Sequence, residues 1–327
     1  TIYVTDANGK YVKEDGSITA TKTGISVPAN GSVTINDIPV GTYTVAENET
    51  DAAKAGYALT VTGTGDVKVT KDTTTTATVT NTYTQNKGSL TVAKKVVGYD
   101  FGAAGKNFTI YVTDANGKYV KEDGSITATK TGISVPANGS VTINDIPVGT
   151  YTVAENETDA AKAGYALTVT GTGDVKVTKD TTTTTTVTNT YTQDKGSLTV
   201  GKKVVGTTKM AGKKVRIYVQ NVDNGQYVHE DGTLTDSKAY IEVPVDGDVT
   251  INDIPVGTYN VSEDPTGTAV PNYGLAVTGE GDVTVTKDAT ATATVTNTYT
   301  QDKGSLTVAK KVVGTTKMAG KKVRIYV

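Results

Sequence analysis

The sequence predicts an all-β protein, a tandem set of β-sandwich domains in an elongated row, and three observations predict it. A block of 108 residues is written almost three times over, as the steps from Lys94 to Lys202 to Lys310 show. Between turn residues, each block alternates apolar and polar side chains with period two, the pattern of half-buried strands. The composition is that of β-structure: 18 Tyr but only two Phe and no Trp, with abundant Thr and Val.

The repeat sets the domain organisation. Thr1–Val92 recur as Thr109–Val200 with Ala77→Thr and Asn86→Asp as the only changes, and residues 216–323 form a more diverged third copy. Blocks of this length bury their own cores, so they read as beads rather than as a solenoid. The expected domains are 1–84, lacking its first strand; 88–192 and 196–300, both complete; and 304–327, the opening strands of a further domain. Gln85-Asn86-Lys87-Gly88, Gln193-Asp194-Lys195-Gly196 and Gln301-Asp302-Lys303-Gly304 lie between repeats. Four residues leave neighbouring domains little freedom.

In the second copy, strands are expected near 89–97, 107–113, 118–121, 126–130, 140–146, 149–157, 165–171, 174–178 and 184–192. Asn116-Gly117 and Asn224-Gly225 favour the positive φ of a tight hairpin. Pro147-Val148-Gly149 turns the chain into the next strand. Asp159–Lys162 is expected to form one helical turn.

Strand parity then singles out three polar residues. In GSLTVAKKVVG, Leu90, Val92, Lys94 and Val96 share a face, while Lys95 points the other way. Tyr151, Val153 and Glu155 share a face of the strand after Gly149, as do Val187, Asn189 and Tyr191 of the last strand. Each apolar stripe thus carries one polar member, and the same residues recur as Lys202, Glu263 and Asn297, with Glu47, Asn81 and Lys310 in the incomplete blocks. A polar residue in a buried stripe is an error of patterning unless it has a function. Burying a lone Lys or Glu costs several kcal/mol, of order ~3–5. Desolvation favours an uncharged amine and a protonated acid together. A neutral amine is a nucleophile. A protonated carboxyl polarises a carboxamide and relays protons as ammonia leaves. A buried ion pair beside a hydrogen-bonded Asn is the alternative reading of the same residues.

GSLTVAKKVVG, the Gly-Ser-Val-Thr-Ile strand leading into PVGTYTVAE, and the terminal TVTNTYT together resemble the Cna B-type (SpaA-like, prealbumin-like) domain of Gram-positive surface adhesins and pilins. The resemblance implies an Ig-like/prealbumin-like sandwich whose first-strand Lys and last-strand Asn form an intramolecular isopeptide bond promoted by a core Glu. Carried onto this chain, the pairs are Lys94–Asn189 with Glu155, and Lys202–Asn297 with Glu263. Glu47 and Asn81 lack their Lys within the chain, and Lys310 lacks its partners. No Tyr-Pro-Lys pilin motif is present, so the stalk of a long adhesin or surface fibre fits better than a sortase-polymerised shaft.

Other function classes fare worse. The 32 basic and 34 acidic side chains leave no net field to steer nucleic acid or anionic lipid. No apolar run approaches the length of a membrane helix. There is no cysteine and a single histidine, so thiol chemistry, a Ser-His-Asp triad and His-rich metal sites are excluded. His229 is expected at the surface of a loop. Asp114–Gly117 and Glu122–Gly124 lack the ligand spacing of a calcium loop and read as turns. Asn30 and Asn138, in Asn-Gly-Ser, read as turns as well. No cofactor is expected.

The leading expectation is therefore a non-enzymatic, extracellular stalk segment of a bacterial cell-surface adhesin, attached to the wall through regions outside this chain. Its partners are the neighbouring domains of the array. A ligand-binding adhesin region that recognises a host matrix protein or glycan is the alternative, with Asp264–Tyr273 as the segment to examine. A third arrangement has residues 304–327 complete the first domain of another copy, joining Lys310 to Asn81 beside Glu47.

Overall fold

The computed structural model describes residues 1–103, 105–315 and 317–327, which fall into two compact units, Thr1–Thr192 and Gln193–Val327. The first unit holds the first two copies of the repeat and the second holds the third copy. Strands are numbered here within the middle repeat. They are β1 (Lys87–Val97), β2 (Asn107–Thr113), β3 (Tyr119–Val120), β4 (Ile126–Thr127), β5 (Ile133–Pro136) and β6 (Ser140–Pro147). β7 (Gly149–Glu155), the helical turn α1 (Glu157–Ala160), β8 (Tyr165–Thr170), β9 (Gly173–Val177) and β10 (Thr182–Gln193) complete it.

These strands form the two layers of a sandwich. One sheet has the order β6-β1-β10-β8 and the other β4-β3-β2-β7-β9, with β5 also paired to β2. Leu90 and Val92 from β1, Ile110 and Val112 from β2, Tyr151 and Val153 from β7, and Val187 from β10 meet between them in one buried cluster. Among the described ladders of this repeat, β1 and β10, the first and last strands, run parallel, with Lys94 opposite Val187 and Val96 opposite Asn189, and the others are antiparallel. The third repeat repeats this plan: Lys195–Val205 runs parallel to Thr290–Gln301, with Lys202 opposite Val295.

Local chemistry fixes the joints. Between Ile143 and Ile146 the register shifts by a bulge, where Asp145 adopts φ 56°. After it, the Tyr151 hydroxyl donates to the Pro147 carbonyl at 2.7 Å, and Tyr43 and Tyr259 make the same tie in their repeats. Asn138 does form a turn at φ 56°, and its Oδ1 accepts the amide of Val96 at 2.8 Å, closing the end of β1 just beyond Lys94.

Two expectations are corrected. β5 was not anticipated: Ile133-Ser-Val-Pro is short and ends in proline, yet it pairs with Asn107–Ile110. The helical turn falls at Glu157–Ala160, two residues earlier than expected. Among the described residues of 304–327 no strand is formed, and Lys310 lies exposed there.

The first repeat shows what a strand like β1 does for its neighbours. Ser32–Pro39 has the same sequence as β6 but forms no strand, and its last strand covers only Thr80–Gln85, half the length of β10. Both segments flank the position of β1; without it Ser32–Pro39 has no ladder to join, and Thr80–Gln85 pairs on its other side only, with Tyr57–Thr62. Tyr83 is accordingly 41% exposed, against 3% for Tyr191.

Candidate functional site

Parity delivers all three polar residues to the sandwich interior, as the alternation requires. Lys94 is 2% exposed and Asn189 fully buried, while the neighbouring Lys95 faces solvent. The Glu155 side chain at the end of β7 is wholly buried as well. Because β1 and β10 run parallel with Lys94 opposite Val187, Lys94 and Asn189 are diagonal neighbours on one face. That is a span of about 7–8 Å, which the long lysine stem bridges.

One carboxylate oxygen joins the group. Glu155 Oε1 lies 3.0 Å from Lys94 Nζ and accepts from Asn189 Nδ2 at 3.1 Å. The amine contact is close but is not aligned as a hydrogen bond, so Lys94 Nζ, Glu155 Oε2 and Asn189 Oδ1 are buried without hydrogen-bond partners. The third repeat builds the same arrangement with both carboxylate oxygens: Lys202 Nζ is 2.6 Å from Glu263 Oε2, and Asn297 Nδ2 donates to Oε1 at 2.7 Å. Desolvation pushes the pKa of Lys94 and of Lys202 below the ordinary lysine value of 10.5, and the adjacent glutamate opposes the shift without cancelling it.

The surroundings differ between the two complete repeats. Lys94 Nζ stands 4.7 Å from the centroid of the Phe108 ring, which packs against Phe101. In the third repeat, Val215 and Met210 occupy that end of the sandwich, in a cluster with Val270 and Tyr299. Glu280 adds a carboxylate that accepts the backbone amide of Glu263 at 2.7 Å.

In the first repeat, Asn81 Nδ2 still donates to Glu47 Oε1 at 2.8 Å, although no lysine strand is present. The sequence reading placed Tyr191 on the inward face but assigned it no role, whereas its hydroxyl touches the site. The recurring Asn-x-Tyr spacing was the available signal.

Elsewhere the loops behave as turns. Asp114 Oδ1 accepts the amides of Asn116 and Lys118, and His229 is exposed. Among the described residues no group of acidic or histidine side chains is arranged to hold a metal. Thr268 and Val270 of the Asp264–Tyr273 segment are buried against their own repeat.

A family model described as "Domain of unknown function (DUF5979)" matches residues 2–84, 90–192 and 198–300. No curated protein matches the chain. Among solved structures, the chain is similar to the TIE protein of Bacillus anthracis at 15% identity and a TM-score of 0.39, covering 91% of this chain and 49% of that one. The chain therefore spans about half the length of that protein. A minor pilin of the Gram-positive pathogen Streptococcus agalactiae, GBS52, is similar at 15% identity and TM-score 0.29, over 68% of this chain and 100% of the pilin. The major pilin T-13 of Streptococcus pyogenes is similar at 13% identity and TM-score 0.32, over 66% and 98%.

Proposed function

The chain belongs to the DUF5979 family, matched once in each of three repeats, and from the site those repeats share we propose a structural role. It is a stalk or fibre segment of a Gram-positive cell-surface adhesin, its complete repeats welded by Lys94–Asn189 and Lys202–Asn297 isopeptide bonds. The observation that carries this reading is the single buried glutamate that holds an amine and a carboxamide together in both complete repeats. As an ion pair alone, the group leaves buried polar atoms without partners, a costly arrangement. Amide formation removes the charge instead.

The chemistry is a transamidation. Desolvation eases loss of the proton from the Lys94 amine, and in its neutral form the amine attacks Asn189 Cγ, so that the Nζ–Cγ bond forms. Glu155 takes a proton from the attacking nitrogen and passes one to Nδ2. The Cγ–Nδ2 bond breaks and ammonia leaves, so the products are one secondary amide and one ammonia. Each glutamate acts once, on its own repeat, and the chain has no outside substrate.

Chain direction gives the bond its use. Pulling on the array loads the first and last strands of each repeat, and these are the strands that the bond joins. Force then passes through the amide and leaves the roughly 95 residues between unextended. The setting proposed is extracellular, on the bacterial surface, with wall attachment and any tip that binds host matrix or glycan outside this chain.

Intact-mass spectrometry tests the proposal. The wild-type chain is expected to weigh two ammonias less than its sequence, and Glu155→Ala one ammonia less. An unmodified wild-type mass rejects the crosslink.

A further inference from the structure

Each repeat places a tyrosine two residues after its asparagine: Tyr83, Tyr191 and Tyr299. Parity puts it on the inward face, and in the two complete repeats it is 3% exposed. Its hydroxyl always does the same thing. Tyr191 donates to the Ala160 carbonyl at 2.7 Å, Tyr299 to Thr268 at 2.6 Å and Tyr83 to Ala52 at 2.7 Å. Those carbonyls belong to the segment that directly follows the glutamate strand. The tyrosine therefore ties the asparagine strand to the glutamate strand's continuation.

A tyrosine hydroxyl has one proton to give and lone pairs to accept with. Tyr191 spends its proton on Ala160, so toward Asn189 it offers only lone pairs, 3.5 Å from Nδ2. Burial raises its pKa and keeps it a phenol. A lone pair attracts the NH2 end of a carboxamide and repels the oxygen end. The hydroxyl thus distinguishes two ends that shape alone does not.

We propose that Tyr191 and Tyr299 are positioning residues for the crosslinking reaction, setting the carboxamide so that the leaving nitrogen, not the oxygen, faces the glutamate. In that orientation Asn189 Nδ2 sits between Tyr191 Oη and Glu155 Oε1. The acid that must protonate the departing nitrogen is then already beside it. The opposite orientation sets Oδ1 against the tyrosine's lone pairs and leaves the leaving group without its proton donor. The first repeat shows that this half of the site assembles without lysine. Tyr83 keeps its bond to Ala52, and Asn81 keeps its bond to Glu47, although Tyr83 is 41% exposed.

The inference rests on the crosslink proposed above, and its test separates the two. The full chain is made by cell-free translation and sampled over time, and ammonia loss is assigned to each repeat by peptide mapping. Tyr191→Phe is expected to slow crosslinking of the middle repeat roughly tenfold, the worth of one hydrogen bond, and to leave the third repeat at the wild-type rate. Tyr151→Phe removes a bond of equal length to Pro147 and serves as the control for stability. It is expected to leave the rate unchanged. Equal slowing by both variants, or no slowing by Tyr191→Phe in a chain whose wild type crosslinks, overturns the positioning role. A wild type that never loses ammonia overturns the crosslink itself.

Discussion

Lys94→Met isolates the energetic contribution of the covalent link. Methionine keeps the length and apolar body of the buried stem but removes the nucleophile, so the middle repeat folds without its bond while Lys202 still reacts. The link between Lys94 and Asn189 closes a loop of roughly 95 residues, and the chain-entropy relation used for disulfides gives a stabilisation of about 4.7 kcal/mol. Crosslinks often deliver less than this relation gives, so the figure is an upper value. A repeat of this size unfolds with an entropy of about 0.2 kcal/mol/K, so the full loop term corresponds to roughly 20 °C in Tm. Scanning calorimetry of the whole chain is the assay. The transition of the middle repeat is expected to fall by about 10–20 °C while that of the third repeat stays in place. A variant whose middle repeat melts within a few degrees of wild type refutes the reasoning, since no loop was then closed.

Three further outcomes are expected. In single-molecule pulling, wild-type complete repeats yield no long unfolding step, whereas Lys94→Met releases one step of about 300 Å from the middle repeat; equal traces contradict the shielding of the loop. At alkaline pH the stability from Tyr151 is lost as pH rises from 10.0 through its folded value, raised to about 12 by burial. Tyr151→Phe is therefore expected to flatten the fall in denaturation midpoint above pH 10, and an unchanged slope counts against it. In an Asn189→Ala chain, Lys94 stays uncrosslinked with a pKa below 10.5. The unfolded state then binds the extra proton between the folded value and 10.5, so stability rises with pH across that window; urea titrations that show a fall there contradict the sign.

Much of this was legible in the residues because a strand's period of two leaves little choice. Once Leu90 and Val92 face inward, Lys94 must follow and Lys95 must not, and the same rule brings Glu155 and Asn189 to the interior. What periodicity cannot supply is the partner. Ser32–Pro39 and β6 are the same eight residues, yet only the copy beside β1 is a strand. Gly304–Gly314 repeats Gly88–Gly98 and pairs with nothing among the described residues. β5 escaped notice because four residues ending in proline are too few to show alternation, and only the open edge of β2 makes them a strand. The tyrosine's role was hidden for a related reason. An apolar-stripe position explains an inward Tyr191 without any hydroxyl chemistry, and the bond to Ala160 joins residues 31 apart.

The central claim, that a buried lysine and asparagine become one amide inside each complete repeat, is tested most directly by a high-resolution crystal structure. Continuous electron density from Lys94 Nζ to Asn189 Cγ, and from Lys202 Nζ to Asn297 Cγ, at the length of an amide bond is the predicted result. Two separate side chains at van der Waals distance, with Nδ2 still in place on each asparagine, contradict it.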